Sequence, residues 1–339
     1  MAKLVSSPLV LFAQAFFLSF SMFASGLLQS QTDQSDGLYH LMQVNENLYQ
    51  AGVRNGGHTT VVLITPDGVV IGDPISESFS EWLKAELRAR FNTQVKYVIY
   101  SHHHPDHASG GRVFADTATF IGHKNMNLNQ LPSNFAPSDT NGNGTIERTE
   151  VTDRTLANFN HIDVDGSGAL SAEEINAPIQ KPDITYDEQM SVSLGGYEVE
   201  IYHMPPAHAD DMSVILFSEY KTLFAVDFLQ VNRFPGGLSG FLGGYTVSDY
   251  TNAIDSAVSL DFDHVIQGHS DLVGSKADAA EFKKLLLTAE SRVTEALATG
   301  KTLEETLEAV TLVEYSGWLL YETRREALVA DMYRWISQQ

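Results

Sequence analysis

Residues 101–111 read Ser-His-His-His-Pro-Asp-His-Ala-Ser-Gly-Gly, and no other stretch restricts the fold as much. Four imidazoles and a carboxylate lie within six positions, His102 to His107. The segment ahead of them, Gln94-Val95-Lys96-Tyr97-Val98-Ile99-Tyr100, is β-branched and aromatic and predicts a strand. A chain leaving a strand still extended points alternate residues to the same side. His102 and His104 therefore share a direction and His103 faces away. Pro105 turns the chain, so Asp106 and His107 reach a second position a few ångströms off. This spacing predicts a two-metal centre rather than a solvated histidine run. The chain has no cysteine, which excludes disulfides and thiolate metal sites and leaves histidine and carboxylate as the ligand pool.

Three later segments end apolar or strand-like runs on further ligand types: Pro205-Pro206-Ala207-His208 after Tyr197–Tyr202, Leu223-Phe224-Ala225-Val226-Asp227, and Val265-Ile266-Gln267-Gly268-His269. In this order the segments resemble the metallo-β-lactamase superfamily, over roughly residues 38–275 apart from one insertion. The resemblance implies an α+β fold, a four-layer αββα sandwich that gathers its site at the C-terminal ends of strands. It implies His102, His104 and His208 on one metal, Asp106, His107 and His269 on a second, and Asp227 between them. Two zinc ions are the expected cofactors, with iron or manganese suited to the same ligands. Asp106 is the expected catalytic residue, orienting a metal-bridging hydroxide and passing a proton to the leaving group. His103, His123, His203 and His264 read as structural. His58 is within reach of the site mouth without any signal that demands it. Asp210 or Asp211 is expected to hydrogen-bond a ligand histidine.

Residues 133–182 carry a different chemistry. Asp139, Asn141, Asn143, Thr145, Glu147 and Glu150 fall at the ligand positions of a twelve-residue calcium loop, with Gly144 at its sharp turn. Asp163, Asp165, Ser167, Ala169, Ser171 and Glu174 repeat the pattern, with Gly168 at the turn. The pair resembles bacterial EF-hand pairs and implies up to two calcium ions. Twelve residues, Val151 to Ile162, separate the loops and allow one shared helix of about 18 Å. The segment Leu131–Pro137 holds two prolines and is a poor helix. A structural role for calcium is favoured over a gating one.

The N-terminus begins with Lys3, runs through the apolar stretch Pro8–Ala24 and ends in small residues, as a signal peptide over 1–26 would. Periplasmic or secreted placement follows, with no membrane attachment after cleavage. Residues 276–339 read as a helical C-terminal extension, in which Thr302 and Glu305 predict a capping box. A net charge of −22 repels phosphate backbones, so no nucleic-acid partner is expected. The expected function is that of a secreted dinuclear hydrolase acting on a small-molecule ester, thioester or lactone. The alternatives are a metallo-β-lactamase, made less favourable by the acid at 227, and a calcium-binding interaction protein with an inert hydrolase core. The sequence carries no signal for oligomeric state.

Overall fold

The computed structural model describes residues 37–55, 57–132, 135–151, 153–236 and 244–338. The expected signal peptide lies outside them. Strands β1 (Tyr39–Gln43), β2 (Leu48–Val53), β3 (Thr59–Thr65) and β4 (Gly68–Ile71) form an antiparallel meander. Helix α1 (Glu77–Phe91) then crosses to β5 (Val95–Ile99), which lies parallel to β4. A one-turn helix α2 (Pro105–Ala108) and a 3₁₀ turn over Gly111–Phe114 precede β6 (Thr119–His123). The insertion supplies β7 (Thr145–Glu147), α3 (Asp153–Ile162), β8 (Ala169–Ser171) and α4 (Ala172–Asn176). Next, β9 (Ile184–Tyr186) completes a seven-stranded sheet of order β1-β2-β3-β4-β5-β6-β9.

The second sheet holds β10 (Gln189–Leu194), β11 (Tyr197–His203), β12 (Ser213–Phe217), β13 (Thr222–Ala225), β14 (His264–Gln267) and β15 (Val273–Ser275) in chain order. Helix α5 (Val247–Ser259) links the parallel pair β13 and β14. Helices α6 (Lys276–Ala298), α7 (Leu303–Ala309) and α8 (Tyr321–Ile336) follow, and α7 starts on the predicted Thr302–Glu305 capping box. Gly195 and Gly196 take φ of 58° and 89° in the β10–β11 hairpin turn, as a two-residue turn of this hand requires. β9 pairs parallel with β6 in the first sheet, so the chain crosses between the sheets ahead of β10.

Period-two alternation sorts the apolar residues. Val61, Leu63, Ile99 and Ile121 of the first sheet meet Ile215, Phe224, Val226 and Ile266 of the second. Their neighbours Val62, Val98 and Phe120 pack instead with Phe79, Leu83 and Leu87 of α1. On the second sheet Leu223, Ala225 and Val265 pack with Ile254, Phe282, Leu286 and Leu328 from the helices. Phe224 is wholly buried, and truncating it to alanine would cost about 3–5 kcal/mol.

The insertion is a small unit with its own core. β7 and β8 pair antiparallel, setting Ile146 opposite Leu170, and Phe159 and Ile175 close the cluster. α3 fills ten of the twelve residues between the loops. The unit is tied back where Asn176 Nδ2 donates to the Leu128 and Gln130 carbonyls, 3.0 Å each. Tyr100 Oη donates to the Gln180 carbonyl at 2.7 Å, one residue ahead of the loop that carries the histidines. Among the described residues no helix is long and apolar enough to cross a membrane.

Candidate metal centre

The histidine loop leaves the end of β5 extended. His104 keeps extended angles (φ −62°, ψ 137°), as the residue before a proline must, and Pro105 starts α2. Asp106 and His107 thus sit in the first turn of α2 while His102 and His104 precede it. His208 and Asp227 each occupy the apex of a three-residue turn. Ala209 N donates to Ala207 O at 2.8 Å and Phe228 N to Val226 O at 2.7 Å. The central φ values are 69° and 60°, those of the rare, strained γ-turn. Strain of this kind costs about 1–3 kcal/mol per residue and persists only where surrounding structure enforces it. Gly268 lets the last ligand strand approach: a Cβ there would lie 2.5 Å from Val226 Cγ1 and 3.2 Å from His107 Cε1.

All seven residues expected from the sequence converge. Ligand atoms of His102, His104, His208 and Asp227 lie within 4.8 Å of one another, and so do those of His58, Asp106, His107 and His269. Asp227 joins the two groups. Its Oδ2 is 3.1 Å from His208 Nε2, 3.4 Å from His102 Nε2 and 3.2 Å from His107 Nε2, and its Oδ1 is 2.7 Å from His269 Nε2. Imidazole nitrogens also crowd each other, with 3.0 Å between His104 Nδ1 and His208 Nε2 and 3.2 Å between His107 Nε2 and His269 Nε2. His102 Nε2 and Asp106 Oδ1 are buried without a hydrogen bond. Inward-aimed nitrogens and carboxylate oxygens with unmet lone pairs are the donor set that a divalent transition metal takes.

The electrostatics agree. Burial, then the neighbouring imidazoles, hold His102 well below the usual histidine range. Burial and His208 do the same for His104. Burial also works against a charge on His107, but Asp227 and Asp106 outweigh it and raise that imidazole. Burial opposes ionisation of Asp227, and His269, His107 and His208 overcome it, so the carboxylate is held well below its ordinary value.

Two residues at the centre were not read as such in the sequence. His58 places Nε2 3.1 Å from Asp106 Oδ2 and its ring 4.5 Å from His269. Asp73, fully buried, accepts from Ser101 N at 2.7 Å and Ser101 Oγ at 2.6 Å, and its Oδ2 is 3.3 Å from His107 Nδ1. Ser101 Oγ is in turn 3.0 Å from His102 Nδ1, so one carboxylate orients two ligand histidines. The expectation for Asp211 is corrected: it pairs at 3.0 Å with His103, which faces away from the centre. The Asp210 carbonyl meets His203 and Asn125.

The loops of the insertion adopt matching turns. Gly144 and Gly168 take φ of 83° and 84°. Asp139 accepts from Gly142, Asn143 and Gly144 backbone N–H groups, and Glu150 from those of Thr140, Asn141 and Glu147. In the second loop Asp163, Asp165 and Glu174 bring their oxygens within 4.8 Å of one another. Asn141 and Asn143 stand close to Glu147, 3.1 and 2.7 Å away, and Thr145 Oγ1 donates to Asn143 Oδ1 at 2.9 Å. Ser167 Oγ donates to the Ala169 carbonyl and Ser171 Oγ to Glu174.

Two mixed sheets with packed helices thus carry, at strand ends, a two-part histidine–carboxylate cluster that could hold metal, one part buried and the other half-buried. The Metallo-beta-lactamase superfamily profile matches residues 49–269. The chain belongs to the metallo-β-lactamase superfamily and is an enzyme, a metal-dependent hydrolase of that superfamily. Solved structures share the fold. A metallo-β-lactamase from Pontibacter korlensis is 14% identical over 74% of this chain and 99% of that one, with a TM-score of 0.52. The metallo-β-lactamase DIM-1 is 17% identical over 75% of this chain and 99% of that one, also at 0.52. A double mutant of the sec-alkyl sulfatase PisA1 is 16% identical over 88% of this chain, at a TM-score of 0.58, and this chain covers 49% of the sulfatase. A search of curated proteins finds no match.

Proposed function

We propose that this chain is an exported dinuclear hydrolase of small esters, thioesters or lactones, built as a four-layer αββα sandwich with an inserted EF-hand pair. The observation that carries the reading is Asp227, whose two oxygens lie within 3.4 Å of imidazoles from both four-donor groups. His102, His104 and His208 would hold one ion, His107, His269 and Asp106 the other, with Asp227 shared. Two divalent ions there, zinc by donor type, would lower the pKa of a water and polarise the acyl oxygen. The protein's own part is positional. Asp73 and Ser101 fix the imidazoles, and the tight turns at 208 and 227 fix the last donors. Asp106 Oδ1, which makes no hydrogen bond, takes a proton from the attacking water and returns it to the leaving group, while His58 holds Oδ2. The insertion loops would each take one calcium ion, and the N-terminal segment would direct export.

Metal analysis of purified protein tests this together with a substrate panel of lactone, thioester, phosphodiester, β-lactam and alkyl sulfate. About two transition-metal ions per chain are expected, with turnover of a lactone or thioester that Asp227→Ala abolishes. Calcium alone, with no turnover, would overturn the hydrolase reading in favour of a binding protein. Preference for the β-lactam would overturn the substrate class.

A further inference from the structure

The six-stranded sheet ends on β10, which pairs with β11 alone. β10 is the longest strand at an edge of either large sheet, since β1 has five residues and β9 and β15 have three each. It keeps unbroken register with β11 from Gln189↔Tyr202 to Leu194↔Tyr197. His203 N donates to the Glu188 carbonyl at 2.9 Å, a pair in that same register. Bonded and non-bonded pairs alternate along an antiparallel ladder, so Met190, Val192 and Leu194 turn their N–H and C=O groups to β11. Those of Gln189, Ser191 and Ser193 point out of the sheet edge, and among the described residues no hydrogen bond meets them.

A row of open N–H and C=O groups is a template for another strand, and proteins blunt it with a charge, a proline, a bulge or a short length. β10 reads Gln-Met-Ser-Val-Ser-Leu and carries none of these. It does so in a chain of net charge −22, whose surface at large repels a second copy. Val192 is buried and Met190 and Leu194 pack on the core between the sheets, while Gln189, Ser191 and Ser193 are exposed on the other face. The chain passes from β9 to β10 through Asp187 and Glu188 alone, so the open edges of both sheets lie on one side of the sandwich. Ile184 of β9 is exposed there as well.

We propose that β10 pairs antiparallel with β10 of a second copy about a twofold axis at Val192, which makes one sheet continuous through a homodimer. The outward groups belong to alternate residues, so these must face each other across the axis. Ser191 then faces Ser193 of the second copy, Met190 faces Leu194, and Val192 faces its own counterpart. Apolar side chains meet on the core side and hydroxyls on the outer side, both favourable cross-strand pairs. Glu188 falls opposite Gly196 and meets no like charge. An axis at Ser191 would set Glu188 against Leu194 instead. The twofold relation makes both halves of the contact identical. An unrelated extended peptide needs pockets beside the edge for its alternate side chains, whereas the open face of β10 offers only exposed serine and glutamine.

Sedimentation velocity of the purified chain over a range of concentrations tests this. A reversible monomer–dimer equilibrium is expected, tightened by salt because the two copies carry the same net charge. Ser193→Pro removes an outward N–H at a place where an edge strand tolerates proline, and it acts twice across the axis. It should weaken dimerisation about tenfold or more. Ser191→Lys puts a charge on the edge, should weaken it too, and carries the comparison if the proline variant does not fold. Monomer at every concentration leaves the edge to another chain and overturns the proposal. A dimer that both variants leave unchanged, or one that loosens with added salt, also overturns it. The chain has no cysteine, so single substitutions read the register. Opposite residues of a bonded pair have Cα atoms about 5.5 Å apart, within disulfide reach. A mixture of Ser191→Cys and Ser193→Cys proteins should cross-link under mild oxidation, while neither does so alone. No cross-link in the mixture, or one in either variant by itself, overturns the axis at Val192.

Discussion

The histidine centre and the insertion loops are both clusters of ligand-type side chains, and they are assembled in opposite ways. At the centre the donors come from segments as far apart as His58 and His269; one group of four is buried, the other half-buried apart from His107, and atoms such as His102 Nε2 are left without a hydrogen bond. In the insertion each set of donors lies within twelve residues, is largely exposed and has most of its carboxylate oxygens taken up by the loop's own N–H groups, Asp163 Oδ1 excepted. Glu150 is drawn down to about 2, foremost by its hydrogen bonds with Glu147 and then Thr140. The first cluster exists only if both sheets are in place. The second folds around local turns and a core of a few residues, Ile146, Phe159, Leu170 and Ile175. Long-range assembly makes a strained site held by both sheets. Local assembly makes a small, exposed one held by its own short-range hydrogen bonds.

The largest effect that would test this contrast is at Asp227. Asp227→Ala removes the one carboxylate shared by both donor groups and leaves the imidazoles facing each other. Activity should fall by more than about a hundredfold, since that is the upper range for losing a partner that merely orients a ligand. Circular dichroism should show the sheets intact. Retained turnover of a substrate found in the panel would break the contrast outright. Asp73→Asn comes next. It keeps the shape and the contact to Ser101 but weakens the hold on His107 and His102, so metal affinity should drop about 10–100-fold. Equilibrium dialysis against a chelator series measures this, and an unchanged affinity would reduce Asp73 to a structural acid.

The same contrast explains what could be read in advance. The donor sets of the insertion loops are contiguous, so residue order alone displays them. The ligands His208, Asp227 and His269 are distant in sequence but legible, because each follows an apolar or strand-like run. Asp73 has that signature too, after Val69-Val70-Ile71-Gly72, and its role becomes visible only when β4 is seen beside β5 and the Ser101 amide. His58 has no signature. Thr59 N donating to Gly268 O at 2.8 Å brings it to the site, and no local pattern encodes that contact.

On the insertion side, Glu174→Gln should weaken calcium binding and lower thermal stability in calcium while hydrolysis persists. Saturation at a hundred times Kd is worth about 2.7 kcal/mol, which sets the ceiling on the loss. Scanning calorimetry with and without a calcium chelator reads it. A fall in turnover at unchanged Tm would instead couple the loops to the centre, with Tyr100 and Gln180 as the contact to examine.

The smallest expected effect separates buried histidines that wait for a ligand from one that does not. His123 is buried at the end of β6, stacked on His203 with centroids 3.7 Å apart and planes 1° from parallel. Its Nε2 is 2.7 Å from the Asp187 carbonyl, and its Nδ1 accepts from Asn125 N at 3.2 Å. Both nitrogens are thus used by the neutral ring. Burial, then His203, hold its pKa below 6.5 against the Asp187 carbonyl. As pH falls, the unfolded chain takes up this proton before the folded one does. The His123 contribution is therefore complete above about pH 6.5 and is lost as pH drops through the folded value. At most one proton is involved, so the slope stays under about 1.4 kcal/mol per pH unit. His123→Gln, which can also donate to Asp187 and accept from Asn125, should flatten the decline of Tm between about pH 7 and pH 5 relative to the unsubstituted chain. Equal slopes in the two proteins would mean that His123 takes up its proton as readily in the folded state as in the unfolded one, and the distinction between satisfied and ligand-seeking histidines would lose its test case.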